Sequence, residues 1–380
     1  MRICIITSSY PSHAGDVVQA PFLVDFIGGL KRRGHQVFVF TQDRVGAKEP
    51  FLDGVEVKWF SWLGSKKPLV QLNVLRPLDC LRIISLLYRG REALPPFLRE
   101  NRIEACLALW VLPGGYFAHH ACRVARVPYS IWALGSDIYR YGSNPLLYGV
   151  MKRVIDEARG VFADGFDLAK NVEARFRKKC FFLATARRLP EGRRAVQGKG
   201  IGPARFLYVG RLERVKGIDI LLESFALLKE EGEEAHLTIV GNGSLGNWAE
   251  EFIEKRGLVP NVTMLGNVPE DDLISLYAAS DCVVIPSRME SIPVVFSEAL
   301  AFDKGMIVTD VGDLGLLGRQ YGVAEVVPPE NPAAMKEAMK ERLRGRVRRE
   351  GEDGKRAELK NLFNIERSVE RFLADYKRDS

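Results

Sequence analysis

The chain has 380 residues, of which 47% are apolar and 27% are charged. This length predicts two domains, and the composition is typical of soluble globular proteins and argues against global disorder. No stretch reaches the roughly 18 to 20 apolar residues of a membrane-spanning helix. The opening MRICIITSSYP predicts a short strand and a polar turn rather than a signal peptide, so we expect a cytoplasmic protein.

The net charge is +7, which is compatible with an anionic ligand, an anionic membrane surface or nucleic acid. No nucleic-acid-binding motif is present, so we expect no nucleic-acid partner. The six cysteines are scattered, and the five histidines do not cluster with them. This spacing predicts buried free thiols and no metal site.

The first half alternates predicted strands and helices. ICIIT and HQVFVF are strands on either side of the helix FLVDFIGGLKRRG, which is the opening of a doubly wound sheet. A long apolar helix with basic edges follows, within KKPLVQLNVLRPLDCLRIISLLYRG. Strands in IEACLALW, PYSIWAL and GVFAD then alternate with further helices.

The stretch RRLPEGRRAVQGKGIGP has no periodicity and is rich in glycine, which predicts an interdomain linker. Alternation restarts with the strands ARFLYVG, AHLTIVG, NVTMLG, CVVIPS and MIVTD. We therefore predict an α/β protein with two Rossmann-like doubly wound domains facing across a cleft. Domain boundaries are predicted at 1–198 and 203–360.

Two cations follow the first strand of the second half. Arg211 comes directly after that strand, and Lys216 stands at the start of the next helix. A helix N-terminus and two cations suit a diphosphate, although a solvated basic loop gives the same pattern.

Two carboxylates follow the strand CVVIPS. Glu290 lies on the loop, and Glu298 lies in the helix that begins near Pro293. Carboxylates there can accept hydrogen bonds from sugar hydroxyls. Taken singly, Glu290 could equally be an acid favoured by the helix dipole, and Glu298 an exposed helix residue.

Together these segments resemble the retaining GT-B glycosyltransferases of group 1, also called family 4. The resemblance rests on GRLERVKGIDILLESF, on IVGNG at 239–243, and on MLGNVPEDDLISLYAASDCVVIPSRMESIPVVFSEALA. The strand-loop-helix that ends in RGHQV adds to it. The likeness covers most of the second half and, more loosely, the first half.

The resemblance implies that Arg211 and Lys216 hold the donor diphosphate, that Glu290 contacts the transferred sugar and that Glu298 contacts the ribose. It implies a last helix, at 365–380, that packs back on the first domain. The predicted catalytic residues are Arg211, Lys216, Glu290 and Asp137. The predicted donor-binding residues are Gly15, Gly210, Gly241, Gly243, Ser291, Ile292, Pro293, Val294 and Glu298.

The first half departs from the family pattern. Leu109 and Leu134 stand where many relatives carry histidines, while the segment GSDIY with Asp137 remains. Asp137 could orient a hydroxyl group, or it could be a turn or helix-capping residue. His13 is the only histidine placed near the predicted cleft.

The aromatic run Trp59, Phe60, Trp62 and Leu63 stands near Lys66, Lys67 and the basic stretch 175–194. An amphipathic, basic surface of this kind predicts contact with an anionic membrane, and packing against the core is the alternative.

The predicted function is metal-independent, retaining transfer of a hexose from a nucleotide-diphosphate sugar to a glycan or lipid-linked acceptor, without a cofactor. Such an enzyme of polysaccharide biosynthesis would be peripheral to the inner face of the membrane. The alternatives are a nucleotide-sugar epimerase of GT-B architecture and a catalytically silent sugar-nucleotide-binding partner.

Overall fold

The computed structural model describes residues 1–11, 20–44, 52–64, 69, 72, 76–141, 144–189, 204–345 and 353–377. The chain forms two compact units. Unit 1 comprises Met1–Ala184 together with Ile365–Ser380, and unit 2 comprises Thr185–Asn364. Each unit is built on one sheet of parallel strands with helices, so the predicted α/β class with two Rossmann-like sheets is confirmed.

Unit 1 contains a seven-stranded sheet in the order β3-β2-β1-β4-β5-β6-β7. Its strands are β1 (Arg2–Ile6), β2 (Gln36–Gln42), β3 (Glu56–Phe60), β4 (Ala105–Leu109), β5 (Tyr129–Ala133), β6 (Val161–Ala163) and β7 (Phe181–Phe182). Its helices are α1 (Pro21–Arg32), α2 (Pro77–Glu100), α3 (Tyr116–Ala125), α4 (Ser136–Tyr141), α5 (Pro145–Asp156) and α6 (Phe166–Phe176). A π-helical turn, Trp110–Gly115, joins β4 to α3.

Unit 2 contains a six-stranded sheet in the order β10-β9-β8-β11-β12-β13. Its strands are β8 (Ala204–Val209), β9 (Ala235–Val240), β10 (Val262–Met264), β11 (Cys282–Ile285), β12 (Gly305–Thr309) and β13 (Ala324–Val327). Its helices are α7 (Ile218–Glu230), α8 (Gly246–Lys255), α9 (Glu270–Ala279), α10 (Val294–Ala301), α11 (Leu314–Tyr321), α12 (Pro332–Leu343) and α13 (Asp353–Leu362).

Both sheets reverse their direction of growth once. In unit 1 the reversal lies between β1 and β4, and in unit 2 it lies between β8 and β11. The two loops that leave such neighbouring strands diverge to opposite faces of the sheet and leave a crevice at the carboxyl edge, where ligands bind in open α/β sheets. The fold therefore singles out the residues after β8 and β11.

The last helix, α14 (Ile365–Lys377), packs on unit 1. The Arg33 guanidinium pairs with the carboxylates of Glu366 and Glu370. The buried Tyr376 hydroxyl donates to the Cys106 carbonyl at 3.1 Å and lies 3.0 Å from Ser130 Oγ. The helix thus completes the core of a unit whose strands lie far away in the sequence.

The aromatic run near β3 is largely internal. Phe60 and Trp62 are 4% and 8% exposed, and the Trp62 indole donates to the Asp43 carbonyl at 2.8 Å. The predicted membrane-facing role is therefore wrong for Phe60 and Trp62, although Leu63 is 73% exposed. Lys66 and Lys67 lie outside the described residues.

The six cysteines form no disulfide, and all except Cys80 are buried, as predicted for free thiols. Across the described ranges, no helix combines the length and the apolarity that crossing a membrane requires.

Candidate functional site

The loops after β8 and β11 meet at the carboxyl edge of the second sheet. β8 is followed by Gly210 and the exposed Arg211, and the Gly210 amide donates to the Val240 carbonyl at the end of β9 at 3.0 Å. The Arg288 amide, beyond β11, donates to the Val215 carbonyl at 2.9 Å. The second of these backbone hydrogen bonds joins the loops after β8 and β11 at the switch point of the sheet.

An ion pair joins these loops. The Lys216 ammonium contacts Glu290 Oε2, and the two side chains are 22% and 15% exposed. Ser287 Oγ lies 3.4 Å from the same carboxylate oxygen. The structure thus brings together Lys216 and Glu290, which the sequence separates by 74 residues. Because both side chains remain partly open to solvent, each of them can give up its contact with the other and bind an incoming ligand instead.

Arg288 clamps the two loops, and the sequence analysis did not select it. Its guanidinium binds both carboxylate oxygens of Asp219, at 2.6 and 2.9 Å, and both oxygens of Glu330, at 2.5 and 2.8 Å. These two carboxylates raise the pKa of Arg288 above its ordinary value. Planar bidentate pairing of this kind restricts geometry as well as adding energy. Its position directly beyond a strand end, like that of Arg211, is the sequence signal that could have identified it.

Backbone packing explains two predicted glycines. Gly241 has φ +126°, and a Cβ there would lie 2.0 Å from the Gly210 carbonyl oxygen. A Cβ on Gly243 would lie 2.4 Å from the Leu212 carbonyl oxygen. Only glycine allows the loops after β8 and β9 to approach this closely without strain. Between these two loops the surface of the site is therefore formed by peptide groups and not by side chains.

The segment Ser291–Val294 leads into α10, whose N-cap is Pro293. Ser291 and Ile292 are 8% and 3% exposed. Among the residues that the structure describes, the buried Ser291 hydroxyl has no hydrogen-bond partner. The first amides of a helix also lack intrahelical acceptors. These donors could bind an anion that lies beside Lys216.

Glu298 lies on α10 and is buried rather than exposed, so the interpretation of it as an exposed helix residue is wrong. The Tyr277 hydroxyl donates to Oε2 at 2.7 Å, and burial, followed by the charge of Glu298, raises the pKa of Tyr277 well above its ordinary value. The tyrosine therefore remains protonated and acts as a donor to the carboxylate.

The charge of Glu298 is balanced by Arg187. This guanidinium lies 3.5 Å from Glu298 Oε1 and 2.8 Å from Glu270 Oε1. The Arg187 side chain is 8% exposed, which makes its assignment to a basic membrane-facing surface wrong. A buried charge needs a partner, and here one arginine serves two carboxylates.

Asp137 lies in unit 1, in the first turn of α4. It is 1% exposed, and its Oδ2 accepts the Val111 amide hydrogen at 2.5 Å. Burial raises the pKa of Asp137 to about 6, against the opposing effect of backbone hydrogen bonds. Within the described ranges its Oδ1 has no hydrogen-bond partner. The carboxylate anchors the π-helical turn, and a contact with substrate stays a prediction.

Of the other residues predicted in the first half, the structure describes Leu109 and Leu134 but not Gly15 and His13. Leu109 is fully buried at the end of β4, and Leu134 is half-buried after β5. Both therefore line the carboxyl edge of the first sheet with apolar side chains. Gly15 and His13 lie outside the described residues.

Metal binding has no obvious place in the described chain. Across its described ranges, no group of three or more His, Cys, Asp or Glu side chains is arranged to hold an ion.

Comparison with known proteins gives a consistent family. The family model of the group 1 glycosyl transferases matches residues 192–359. The alpha-D-kanosaminyltransferase of Streptomyces kanamyceticus is 31% identical over 137 residues, which are 36% of this chain and 35% of that protein. The chain thus spans about a third of the length of such curated relatives.

Solved structures match over nearly the whole chain and show the fold. Sucrose-phosphate synthase from Thermosynechococcus elongatus has a TM-score of 0.76 at 18% identity, with 99% of this chain and 98% of that chain covered. The Anabaena protein HepE, in complex with UDP and glucose, has a TM-score of 0.70 at 16% identity, with 99% of each chain covered. The fold is of the GT-B type, and residues 192–359 match the model of the group 1 glycosyl transferases.

Proposed function

We propose that the protein is a retaining glycosyltransferase that moves a hexose from a nucleotide-diphosphate sugar to a glycan or lipid-linked acceptor. The observation that carries the proposal is the Lys216–Glu290 pair at the switch point between β8 and β11. The family match covers this region. The named activity of the kanosaminyltransferase and the UDP and glucose bound to HepE support a nucleotide-sugar donor.

Arg211 and Lys216 stabilise the leaving group. Breaking the anomeric C–O bond leaves its electron pair on the diphosphate, and preorganised cations lower the energy of that charge. Lys216 exchanges part of its contact with Glu290 for a phosphate oxygen. Glu290 then accepts a hydrogen bond from a hydroxyl of the transferred sugar. Donor binding thus uses a pair that already stands in place.

The nucleoside side of the donor rests on backbone. Gly241 and Gly243 provide close approach, and the Ser291 hydroxyl with the first amides of α10 donates to the diphosphate. Glu298 accepts from the ribose hydroxyls. The Arg187 guanidinium lies beside it in this buried position, and an ionised carboxylate is only an acceptor.

We propose a front-face mechanism that retains anomeric configuration and needs no enzymic nucleophile. The acceptor oxygen bonds to the anomeric carbon on the side that the diphosphate leaves, and the acceptor proton passes to the departing phosphate oxygen. The cations at the end of β8 take the place of a divalent ion, so the reaction is metal-independent. Asp137, on unit 1, is the residue we assign to orienting a substrate hydroxyl.

A lipid-linked acceptor would place the protein at a membrane surface, and we propose peripheral association. The net charge of +7 favours an anionic surface. This association is separate from the donor chemistry and can be tested without turnover.

One observation favours a second candidate, a catalytically silent sugar-nucleotide-binding partner. Leu109 and Leu134 present apolar side chains at positions where the family resemblance implies histidines. Such a protein would bind the donor but release no diphosphate in the presence of any acceptor. Measuring nucleoside diphosphate release beside binding separates the two.

Donor binding is tested by thermal unfolding with UDP-, GDP- and ADP-glucose. A ligand at a hundredfold excess over its Kd stabilises the folded state by about 2.7 kcal/mol. For a unit of this size that corresponds to a rise in Tm of about 5–10 °C. We expect one base to give this rise, and no rise with any nucleotide sugar would overturn the proposal.

A matched pair of variants locates the binding site. Lys216→Met should abolish most of the Tm rise because the diphosphate loses a cation. Lys255→Met removes a lysine that is 75% exposed and pairs with Glu251 at 3.3 Å on α8, and it should leave the rise intact. Equal loss in both variants would reassign the site.

A further inference from the structure

Helix α2 presents an apolar stripe to solvent. Leu78, Leu81, Ile84 and Tyr88 are 68%, 56%, 61% and 61% exposed. At 100° per residue they cover an arc of about 120° over a length of about 15 Å. We call these four residues the α2 stripe. Soluble proteins seldom leave so many large apolar side chains contiguous and uncovered.

The stripe is not the core-facing side of the helix. Leu86, Leu94 and Phe97 pack into unit 1 and are 4%, 0% and 3% exposed. These residues lie on roughly the opposite side of the helix axis from the stripe. α2 is therefore apolar on two faces, of which the fold covers only one. A helix that is apolar all round is ordinarily buried in protein or lipid.

A neighbouring segment extends the stripe. The Leu63 amide donates to Ser85 Oγ at 3.2 Å, and Ser85 lies within the arc of the stripe. Leu63 itself is 73% exposed. The apolar surface is thus formed by two segments and continues beyond one helix.

Arginines flank the stripe on both edges. By helical position, Arg89 and Arg91 lie about 20° outside the arc, one on each side, and both are exposed. Arg76, just before the helix, is also exposed. The one acid between 76 and 91 is Asp79, which is 1% exposed and bonded to Arg82 at 2.6 Å. The exposed charges of residues 76–91 are therefore positive, while the exposed Glu92, one turn beyond Tyr88, places one acid within the arc at the end of the stripe.

We propose that the α2 stripe is the docking surface for an anionic lipid bilayer, lying in the headgroup region with Leu63 beside it. The inference rests on the proposed membrane association and not on sugar transfer. Apolar side chains would enter the acyl boundary, and the flanking arginines would pair with lipid phosphates. This commits the docking to unit 1 and to residues 76–91.

Charge argues against a second copy of the chain as the occupant. In a symmetric dimer both copies would bring the exposed Arg76, Arg89 and Arg91 into one interface. Like charges opposed at an interface are unfavourable. An anionic surface instead pairs with the arginines on both edges of the stripe at once.

The test is sedimentation of the full chain with vesicles made of equal parts phosphatidylglycerol and phosphatidylcholine. The partition coefficient of the wild type should exceed that of the double variant Leu81→Ser/Ile84→Ser by more than about tenfold. Arg89→Gln/Arg91→Gln should lower it by roughly fivefold per arginine and reduce its dependence on salt. Pure phosphatidylcholine should bind the wild type weakly.

Controls match exposure and charge. Val259→Ser/Leu316→Ser removes apolar side chains that are 60% and 48% exposed in unit 2, and Arg153→Gln removes an exposed arginine of unit 1. Neither should change vesicle binding. All substituted side chains are exposed, so each variant should keep the wild-type circular dichroism spectrum and Tm.

Three outcomes overturn the inference in distinguishable ways. A wild type that binds no anionic vesicle at low salt refutes membrane association itself. A wild type that binds while the α2 variants bind equally well refutes the stripe and leaves membrane association standing. Concentration-dependent dimerisation that Leu81→Ser/Ile84→Ser abolishes, without vesicle binding, would assign the stripe to a second copy. Donor binding, measured by the Tm shift, is independent of all three.

Discussion

Replacing Arg187 should show how much its ion pair with Glu298 of α10 contributes to the stability of the folded protein. In Arg187→Met, Glu298 keeps its hydrogen bond from Tyr277 but loses its contact with the Arg187 guanidinium. The Arg187 and Glu298 side chains are 8% and 6% exposed, so the carboxylate is left in a poorly solvated position.

Breaking a buried ion pair on one side costs about 3–5 kcal/mol. The separation of 3.5 Å and the 51% exposure of Glu270, the second partner, favour the lower end. We expect a loss of about 3 kcal/mol at pH 7, a change of roughly a hundredfold in the ratio of folded to unfolded molecules. The assay is urea unfolding, with hydrogen exchange at the amides of α9 and α10 to locate the loss in unit 2.

The pH dependence of this loss has a defined sign. Without Arg187, burial raises the pKa of Glu298 above its unfolded value, so the folded variant binds a proton more readily than the unfolded chain. The lost stability should then return as the pH falls through that raised pKa. Arg187→Met/Glu298→Gln should recover much of the loss at pH 7, because no buried charge remains.

Arg188→Met is the matched control, since Arg188 is exposed and adjacent in sequence. It should change stability by less than about 0.5 kcal/mol. Wild-type stability of Arg187→Met at pH 7, with no response to pH, would refute the reasoning. It would show that Glu298 does not depend on this guanidinium.

Four further outcomes are expected. Lys216→Ala should cut turnover by on the order of a hundredfold, measured as diphosphate release; unchanged turnover rejects its role. Glu290→Gln should reduce kcat more than the affinity for free nucleoside diphosphate, and equal loss of both, by kinetics and calorimetry, would reassign the residue. Asp137 has a folded pKa of about 6 against an ordinary 3.8, so its contribution to stability should rise by about 2 kcal/mol as pH falls from 6 to 4. Asp137→Asn should flatten that slope in urea titrations, and an unchanged slope contradicts the assignment. Gly241→Ala should lower the free energy of unfolding by more than about 2 kcal/mol, because the added Cβ clashes with backbone. Gly232→Ala, at φ +81° with no atom within 4 Å of the added Cβ, should lower it less. Equal losses for both variants in thermal melting would contradict the packing argument.

Most of the fold prediction came from the periodicity of apolar residues in the sequence. Apolar runs such as ICIIT and CVVIP alternate with helical stretches, and parallel strands need such crossovers. Parallel order then places the residue after each strand at one edge of its sheet. This is why Arg211 and Glu290 could be selected without coordinates.

Ion pairs between residues far apart in the sequence could not be predicted. Arg288 reaches Asp219 and Glu330, and these contacts span 69 and 42 residues. Arg187 stood in a stretch without periodicity, which indicated a solvated linker and not an ion pair. A single sequence shows which charges exist, but not which of them burial brings together.

Local chemistry thus determined the class of fold, the two Rossmann-like units and the position of the cations at the strand ends, because strand and helix periods are written in consecutive residues. Tertiary packing alone decided that Glu298 and Arg187 are buried partners, that Phe60 and Trp62 are core residues, and that α2 keeps an uncovered apolar face. Burial depends on which elements pack together, and that is set by contacts between residues far apart along the chain.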